Sequence, residues 1–387
     1  MTARTRAHHA FVERFGGPPD ALAEAPGRIE LLGNHTDYND GLVLAAAIDR
    51  TLAVAARRRL DGRLRLCSLE QDEIVDVESS ALDPAALAGW ARHPAGVVAL
   101  LRRRGVAVPG FDAVIASEVP IGAGLSSSAA VEVATALALR ALAPFRLAGG
   151  EPGPLDDAER WELAALCRAA EHEFARVPVG LLDQVTVLFG AADHAIVLDC
   201  RVPSVERLPL RDAAFVVCDS GERHALDDGR YAEIRGACLA AAEGLGVPAL
   251  RDASAEQLAK LAAGLGRREA ACARHVVDEI ARVARAAEAL RANDLVALGV
   301  LMTASHQSAR TLLGNSTPAL DRLVELALAV PGCLGARLTG GGFGGATVSL
   351  VRPGDADTLV RELPARFAAR MGRAVAAWML RAAAGAA

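Results

Sequence analysis

Apolar positions in the first half of the chain fall into short runs broken by turns, and in the second half into long helical patterns. A helix is expected over residues 4–15. Pro26-Gly27 then opens a polar, loop-rich segment that runs to Gly41. Two apolar, β-prone runs follow at 42–48 and 51–56. Residues 64–68 and 74–78 read as two more strands, the second by its alternation. Asp83-Pro84 starts a helix to about residue 104. Residues 111–118 alternate as a strand does, 120–125 are a glycine-rich turn and 126–142 a long helix. Residues 148–154 form a proline- and glycine-rich surface loop, followed by a helix over 156–175.

Past Asp183 the pattern changes. Short strands at 194–198, 205–208 and 215–219 precede a helix-rich block from 228 to about 330. Two strands then bracket glycines over 335–350, with a helix at 353–371 and a last strand at 374–380. Strands first and helices second predict an α+β protein of two domains, 1–205 and 206–387.

Composition narrows the class. The 387 residues are 52% hydrophobic and 23% charged, enough for a sizeable core and unlike a disordered chain. A net charge of −5 gives no basic nucleic-acid surface. The short runs 57–59 and 102–104 of arginine read as solvated ends of elements. Seven scattered cysteines lack metal-site spacing and suit free thiols in a reducing cytosol. No leader-like apolar region or membrane span is read, so a cytoplasmic protein without a partner protein is expected. Lys260 is the only lysine and lies far from any glycine loop, which rules out a Walker-type phosphate loop.

Chemistry concentrates in four segments. EVPIGAGLSSSAAVEVATAL, 118–137, places glycines and serines between a strand and a helix. Glycines let backbone approach a ligand, and a helix N-terminus attracts phosphate; a plain serine cap after a turn has the same pattern. LTGGGFGGATVSLV, 338–351, is too glycine-dense for a simple hairpin, and its loop either packs on the other glycine loop or the nucleotide or is a wide turn. PGRIELLGNHTDYNDG, 26–41, is unusually polar; it is either a capped turn or a polyol-reading loop carrying Asn34, His35 and Asp37. Glu171 and Asp183, the latter set among apolar residues, are candidates for metal ligand and general base.

Together these segments resemble the GHMP kinases and, within them, the galactokinases. APGRIELLGNHTDYNDG looks like the family's sugar loop, VPIGAGLSSSAA its phosphate loop and LTGGGFGGATVSLV its C-terminal motif. AEHEF (170–174), GLLDQ (180–184), SGERHALDDGRYAEIRGAC (220–238) and RHVVDEIARV (274–283) are similar to further galactokinase stretches. The resemblance implies a two-domain fold with the site in the cleft. It implies ATP as co-substrate, Mg²⁺ as cofactor and a galactose-type sugar as acceptor. It makes Asp183 the base facing the anomeric hydroxyl and Arg28 the stabiliser of charge on the transferring phosphoryl group. Asn34, His35, Thr36, Asp37 and Tyr231 would contact the sugar. Gly122, Ala123, Gly124, Leu125, Ser126, Ser127 and Ser128 would cradle the phosphates, with Ser68 near the base or ribose. Ser128 and Glu171 would hold Mg²⁺.

One departure bears on the substrate. Galactokinases usually carry Glu where this chain has Asn34, and that Glu meets the sugar's C6 hydroxyl. Two other readings are therefore a kinase for a C6-modified sugar such as galacturonate and a non-catalytic sugar sensor. The intact GLSSSAA loop, with Asp183, Glu171 and Arg28 present, speaks against the sensor.

Overall fold

A computed structural model describes residues 1–223, 229–261 and 264–387. Residues 224–228 of the 220–238 stretch, where the helix-rich block was expected to begin, lie outside the described residues.

Helix α1 (Ala3–Phe15) precedes a mixed sheet of seven strands among the described residues. These are β1 (Ala21–Leu32), β2 (Leu42–Arg59), β3 (Arg63–Ser68), β4 (Glu73–Glu78), β5 (Gly110–Ser117), β6 (His194–Asp199) and β7 (Ser204–Pro209). The two runs expected at 42–48 and 51–56 are one strand, β2, which carries polar Asp49 and Arg50 midway. Its start pairs with β6 and its end with β5, while β1 runs antiparallel along it.

Strand β1 falls where the sequence suggested a loop. Pro26 is accommodated because the pairing shifts register between Pro26 and Arg28, so no regular ladder bond is demanded there. A second shift follows between Glu30 and Leu32. Such irregularities re-aim side chains, and Arg28 and Glu30 both line the cavity described below.

One face of this sheet is covered by α2 (Arg92–Arg103), α3 (Ser127–Leu142), α4 (Asp157–Ala170) and α5 (Leu182–Phe189). Helix α3 is apolar on nearly all sides and correspondingly buried. On the opposite face Ala3, Ala7 and Phe11 of α1 pack with Ala53, Ala55, Val114 and Ala116. The helix expected from residue 83 begins only at Arg92, after two 3-10 turns. Pro94 fits a first turn but would clash with helix extending further upstream. Helix α4 ends in a π-turn, Glu171–Ala175, that sets Glu171 facing the cavity. Helix α5 was not foreseen: its β-branched Val185, Thr186 and Val187 disfavour helix, and burial overrides that preference.

The second half builds an antiparallel sheet, in the order β11-β8-β10-β9, from β8 (Ala214–Asp219), β9 (Cys333–Thr339), β10 (Ala346–Val351) and β11 (Ala376–Leu380). Around it lie α6 (Arg230–Leu245), α7 (Ala255–Leu261), α8 (Arg267–Arg291), α9 (Leu295–Ser308), α10 (Pro318–Leu328) and α11 (Ala356–Met371). The chain passes from one sheet to the other between Pro209 and Ala214. The halves share a core in which Ile29, Leu44 and Ile48 meet Phe215, Val283 and Val348. Among the described residues no helix is long and apolar enough to cross a membrane.

Candidate active site

A cavity of about 760 Å³ opens between the halves, lined by β1, the loop after it, the glycine–serine loop before α3, the start of α5 and the 339–345 loop. At its middle Arg28 and Asp183 form a tight pair. Arg28 Nε and Nη2 donate to Asp183 Oδ1 at 2.8 and 2.5 Å. Arg28 Nη1 donates to the Gly124 carbonyl at 2.6 Å, and Ser126 Oγ donates to Asp183 Oδ2 at 2.5 Å. One carboxylate is thus oriented from β1 and from the glycine–serine loop together.

The loop after β1 forms the polar end. His35 Nε2 lies 3.4 Å from the Gly341 carbonyl, which can only accept, so Nδ1 accepts from the Tyr38 hydroxyl at 2.6 Å. Burial, chiefly, lowers the His35 pKa to about 3, so the ring is neutral. The Tyr231 ring stacks at a tilt 5.0 Å from it, which brings the second half of the chain to the same wall. Asp37 is pushed up to about 7 by burial first, then by Glu30 and Asp183. A Cβ at Gly180 would fall 1.8 Å from Asp37 Oδ2, so only glycine allows that approach.

Asn34, expected to face the sugar, lines the cavity, yet it is 1% exposed and held through its amide. Its Nδ2 donates to the Gly340 carbonyl and its Oδ1 accepts from Asn315 Nδ2, both at 2.8 Å. Thr36 was expected among the sugar contacts, but its fully buried hydroxyl turns inward, within 2.8 Å of the Gly33 and Leu42 carbonyls. It closes the loop and does not line the cavity. Ala123 likewise points into the shared core, while its neighbours Gly122, Gly124 and Leu125 line the cavity.

At the other end Ser127 and Ser128 begin α3, whose first turn carries no side-chain cap, leaving its amides to the cavity. The two glycine loops pack backbone to backbone. Gly124 has φ +73°, and a Cβ there would lie 2.8 Å from the Thr339 carbonyl. Ser68 lines the cavity and its hydroxyl accepts from the Gln71 amide at 3.3 Å.

Glu171 is buried at the cavity edge and accepts from Gln184 Nε2 at 2.7 Å. Burial and then the neighbouring Glu132 push its carboxyl up to about 8. Gln184 also donates to Glu132, whose other oxygen lies 2.8 Å from His93 Nδ1.

Several residues escaped the sequence reading. Glu132 and Gln184 sit inside motifs that were recognised, and a buried polar residue on an apolar helix was the available signal. His93, Arg337 and Asn315 carried no such signal, because their partners lie far away in sequence, and Glu279 sat in the recognised 274–283 stretch with its partner Gly33 equally distant.

Comparison with known proteins identifies the fold and the family. The models for the GHMP kinases N terminal domain and the GHMP kinases C terminal match residues 92–191 and 286–369. The galactokinase galactose-binding signature matches residues 9–58. The Methanococcus jannaschii mevalonate kinase structure shares the fold, with a TM-score of 0.67 at 18% identity over 93% of this chain and 98% of its own. The two-domain architecture and its cleft are therefore those of a GHMP kinase.

Within that class, a galactokinase of Chloroflexus aurantiacus is 42% identical over 94% of this chain and 92% of its own. The human galactokinase is 39% identical over 93% and 91%. The Lactococcus lactis galactokinase structure, complexed with galactose, superposes with a TM-score of 0.87 at 28% identity, covering 98% of both chains. The chain belongs to the galactokinase family and is an ATP-dependent sugar kinase. None of these relatives favours the galacturonate or sensor readings.

Proposed function

We propose that the protein transfers the γ-phosphoryl group of ATP to the anomeric hydroxyl of galactose, giving galactose 1-phosphate and ADP. The Arg28–Asp183–Ser126 constellation, set between the sugar loop and the open end of α3, carries this reading.

The sugar lies against His35, Asp37 and Tyr231, with its anomeric oxygen toward Asp183. Asp183 takes the hydroxyl proton as that oxygen attacks the γ-phosphorus and the bond to the bridging oxygen of ADP breaks. Arg28 and the amides at the start of α3 stabilise the charge on the phosphoryl oxygens. Gly122, Gly124 and Leu125 give the triphosphate a close backbone wall, with Ser68 toward the nucleoside.

Ser128 and Glu171 fit Mg²⁺, since both offer hard oxygen donors at the phosphate end. A buried carboxyl pushed up to about 8 is one that a nearby divalent cation would return to its ionised form. Bound there, the ion would offset charge at the phosphate end. The seven free thiols suit a reducing cytoplasm.

ADP release from ATP, Mg²⁺ and a panel of sugars tests this. Turnover should be fastest with galactose. No turnover of galactose, or faster turnover of galacturonate, would refute it.

A further inference from the structure

Strand β1 sends a second charged residue into the cavity, and the mechanism above gives it no task. Glu30 lies two positions beyond Arg28, on the same face of the strand, and lines the cavity while being 3% exposed. Behind it stands Arg337 of β9, 0% exposed, whose Nη1 donates to Glu30 Oε1 at 3.0 Å. The backbone of Glu30 is fixed too: its amide donates to Thr339 Oγ1 at 3.0 Å.

A buried pair of this kind is a poor device for stability. Taking both charges out of water offsets most of their attraction, and two well-packed apolar residues would serve a core better. Arg337 also leaves Nε and Nη2 buried without a hydrogen-bond partner among the described residues. The arrangement makes sense if the carboxylate is wanted at the cavity wall. Arg337 holds one oxygen from behind, and Oε2 remains for whatever occupies the cavity.

The neighbours say which end of the cavity this is. Glu30 acts on the titration of Asp37 more strongly than Asp183 does, and it also bears on Tyr231. It therefore belongs to the wall shared by Asp37, Tyr231 and His35. Asn34, four residues on, has its amide engaged by Gly340 and Asn315. The carboxylate that this wall adds beside Asp37 is thus the one on β1.

We propose that Glu30, clamped by Arg337, is a specificity-determining residue that accepts a hydrogen bond from one hydroxyl of the sugar through Oε2. The inference rests on the galactose reading and identifies a contact within it. Arg337 is a positioning residue: it fixes the carboxylate's direction and opposes the upward pKa shift that burial, the larger effect, gives Glu30.

A deoxy-sugar cycle tests the proposal. The parent and Glu30→Gln are assayed with galactose and its 2-, 3-, 4- and 6-deoxy forms. In the parent, removing the hydroxyl that meets Glu30 should lower kcat/KM by about tenfold or more, as expected for a hydrogen bond to a charged group. In Glu30→Gln, galactose itself should lose about as much. The penalty for that one deoxy sugar should shrink to a few-fold, while the other three penalties and the KM for ATP stay unchanged. Should the lone Arg337 charge unfold the variant, Glu30→Gln/Arg337→Met removes both charges and should give the same pattern. A parent inactive on galactose overturns the substrate reading. An active parent whose four penalties persist in both variants overturns only the role of Glu30.

Discussion

Glu279 offers the sharpest test of how the sugar loop is held. It lies on α8 in the second half of the chain, fully buried, and reaches across to the backbone of the first half. Its Oε1 accepts from the Gly33 amide at 2.9 Å and from Ser305 Oγ at 2.6 Å, and its Oε2 accepts from Arg282 Nε at 2.6 Å. Burial would raise its pKa, but His275, Arg282, Arg337 and the Ser305 hydroxyl overcome this and bring it from 4.5 to about 2. At about 1.4 kcal/mol per pKa unit, ionised Glu279 contributes roughly 3 kcal/mol to stability. Glu279→Gln, which also strands buried Arg282, should therefore cost about 3–5 kcal/mol. With an unfolding entropy of about 2.1 cal/mol/K per residue, that lowers Tm by roughly 4–6 °C in a chain of this length. Because the folded-state pKa is depressed, the contribution is complete above pH 4.5 and is lost as pH falls toward 2. Calorimetry of parent and variant should show a constant gap from pH 8 to pH 5, narrowing below. The KM for galactose should rise while that for ATP holds. A gap under about 1 °C at pH 7, or one that widens on acidification, would refute the reasoning.

Three further outcomes are expected. Asp183→Asn should keep nucleotide binding and lower kcat by about 10²–10⁴-fold, the range for a lost general base; turnover within a few-fold of the parent would show that Asp183 is not the base. Glu171→Gln should raise the Mg²⁺ concentration giving half-maximal activity, since a neutral amide is a weaker ligand for a hard cation; an unchanged requirement counts against the assignment. Asp37, with its carboxyl pushed up to about 7, ionises between pH 6 and pH 8, and the ionised form accepts hydroxyl hydrogen bonds more strongly. The KM for galactose should fall over that range, and Asp37→Asn should flatten the profile; an identical slope in both proteins would exclude Asp37 as its source.

What the sequence made legible was what local pattern controls. The glycine–serine loop 122–128 and helix α3 follow from a glycine–serine run ahead of good helix formers, and β5 from alternation. Strand β1 was hidden because Pro26, Arg28 and Glu30 read as loop residues, and only the register shifts against β2 reconcile them with a strand. Helix α5 was hidden because its preference is set by neighbours and not by its own residues. At the site, Asn34 was legible as a departure from the family, yet its hydrogen bonds come from Gly340 and Asn315, some three hundred residues away. The same holds for Glu30 and Arg337. A charge on a strand announces that something must compensate it, and the sequence does not say whether that is a core arginine, a ligand or both.

The cavity wall also carries backbone strain, and the strain is informative about use. His35, Ser126 and Phe343 adopt φ of +62°, +57° and +60°, a region that disfavours side chains by about 1 kcal/mol or more. All three lie on the cavity wall of a chain that has 36 glycines and could have used glycine at each. Each side chain instead has a task that glycine could not perform. The His35 ring bridges Tyr38 and Gly341, and Ser126 Oγ orients Asp183. The Phe343 ring lies 4.5 Å from the Arg230 guanidinium, tying the 339–345 loop to the start of α6 and so to Tyr231. The strained conformations are held by surroundings drawn from both halves of the chain, among them Glu279, Asn315 and the paired glycine loops. A site assembled this way depends on the shared core for its geometry. Substitutions that loosen the contact of Ile29 and Leu44 with Phe215 and Val348 should therefore impair turnover before they unfold the chain.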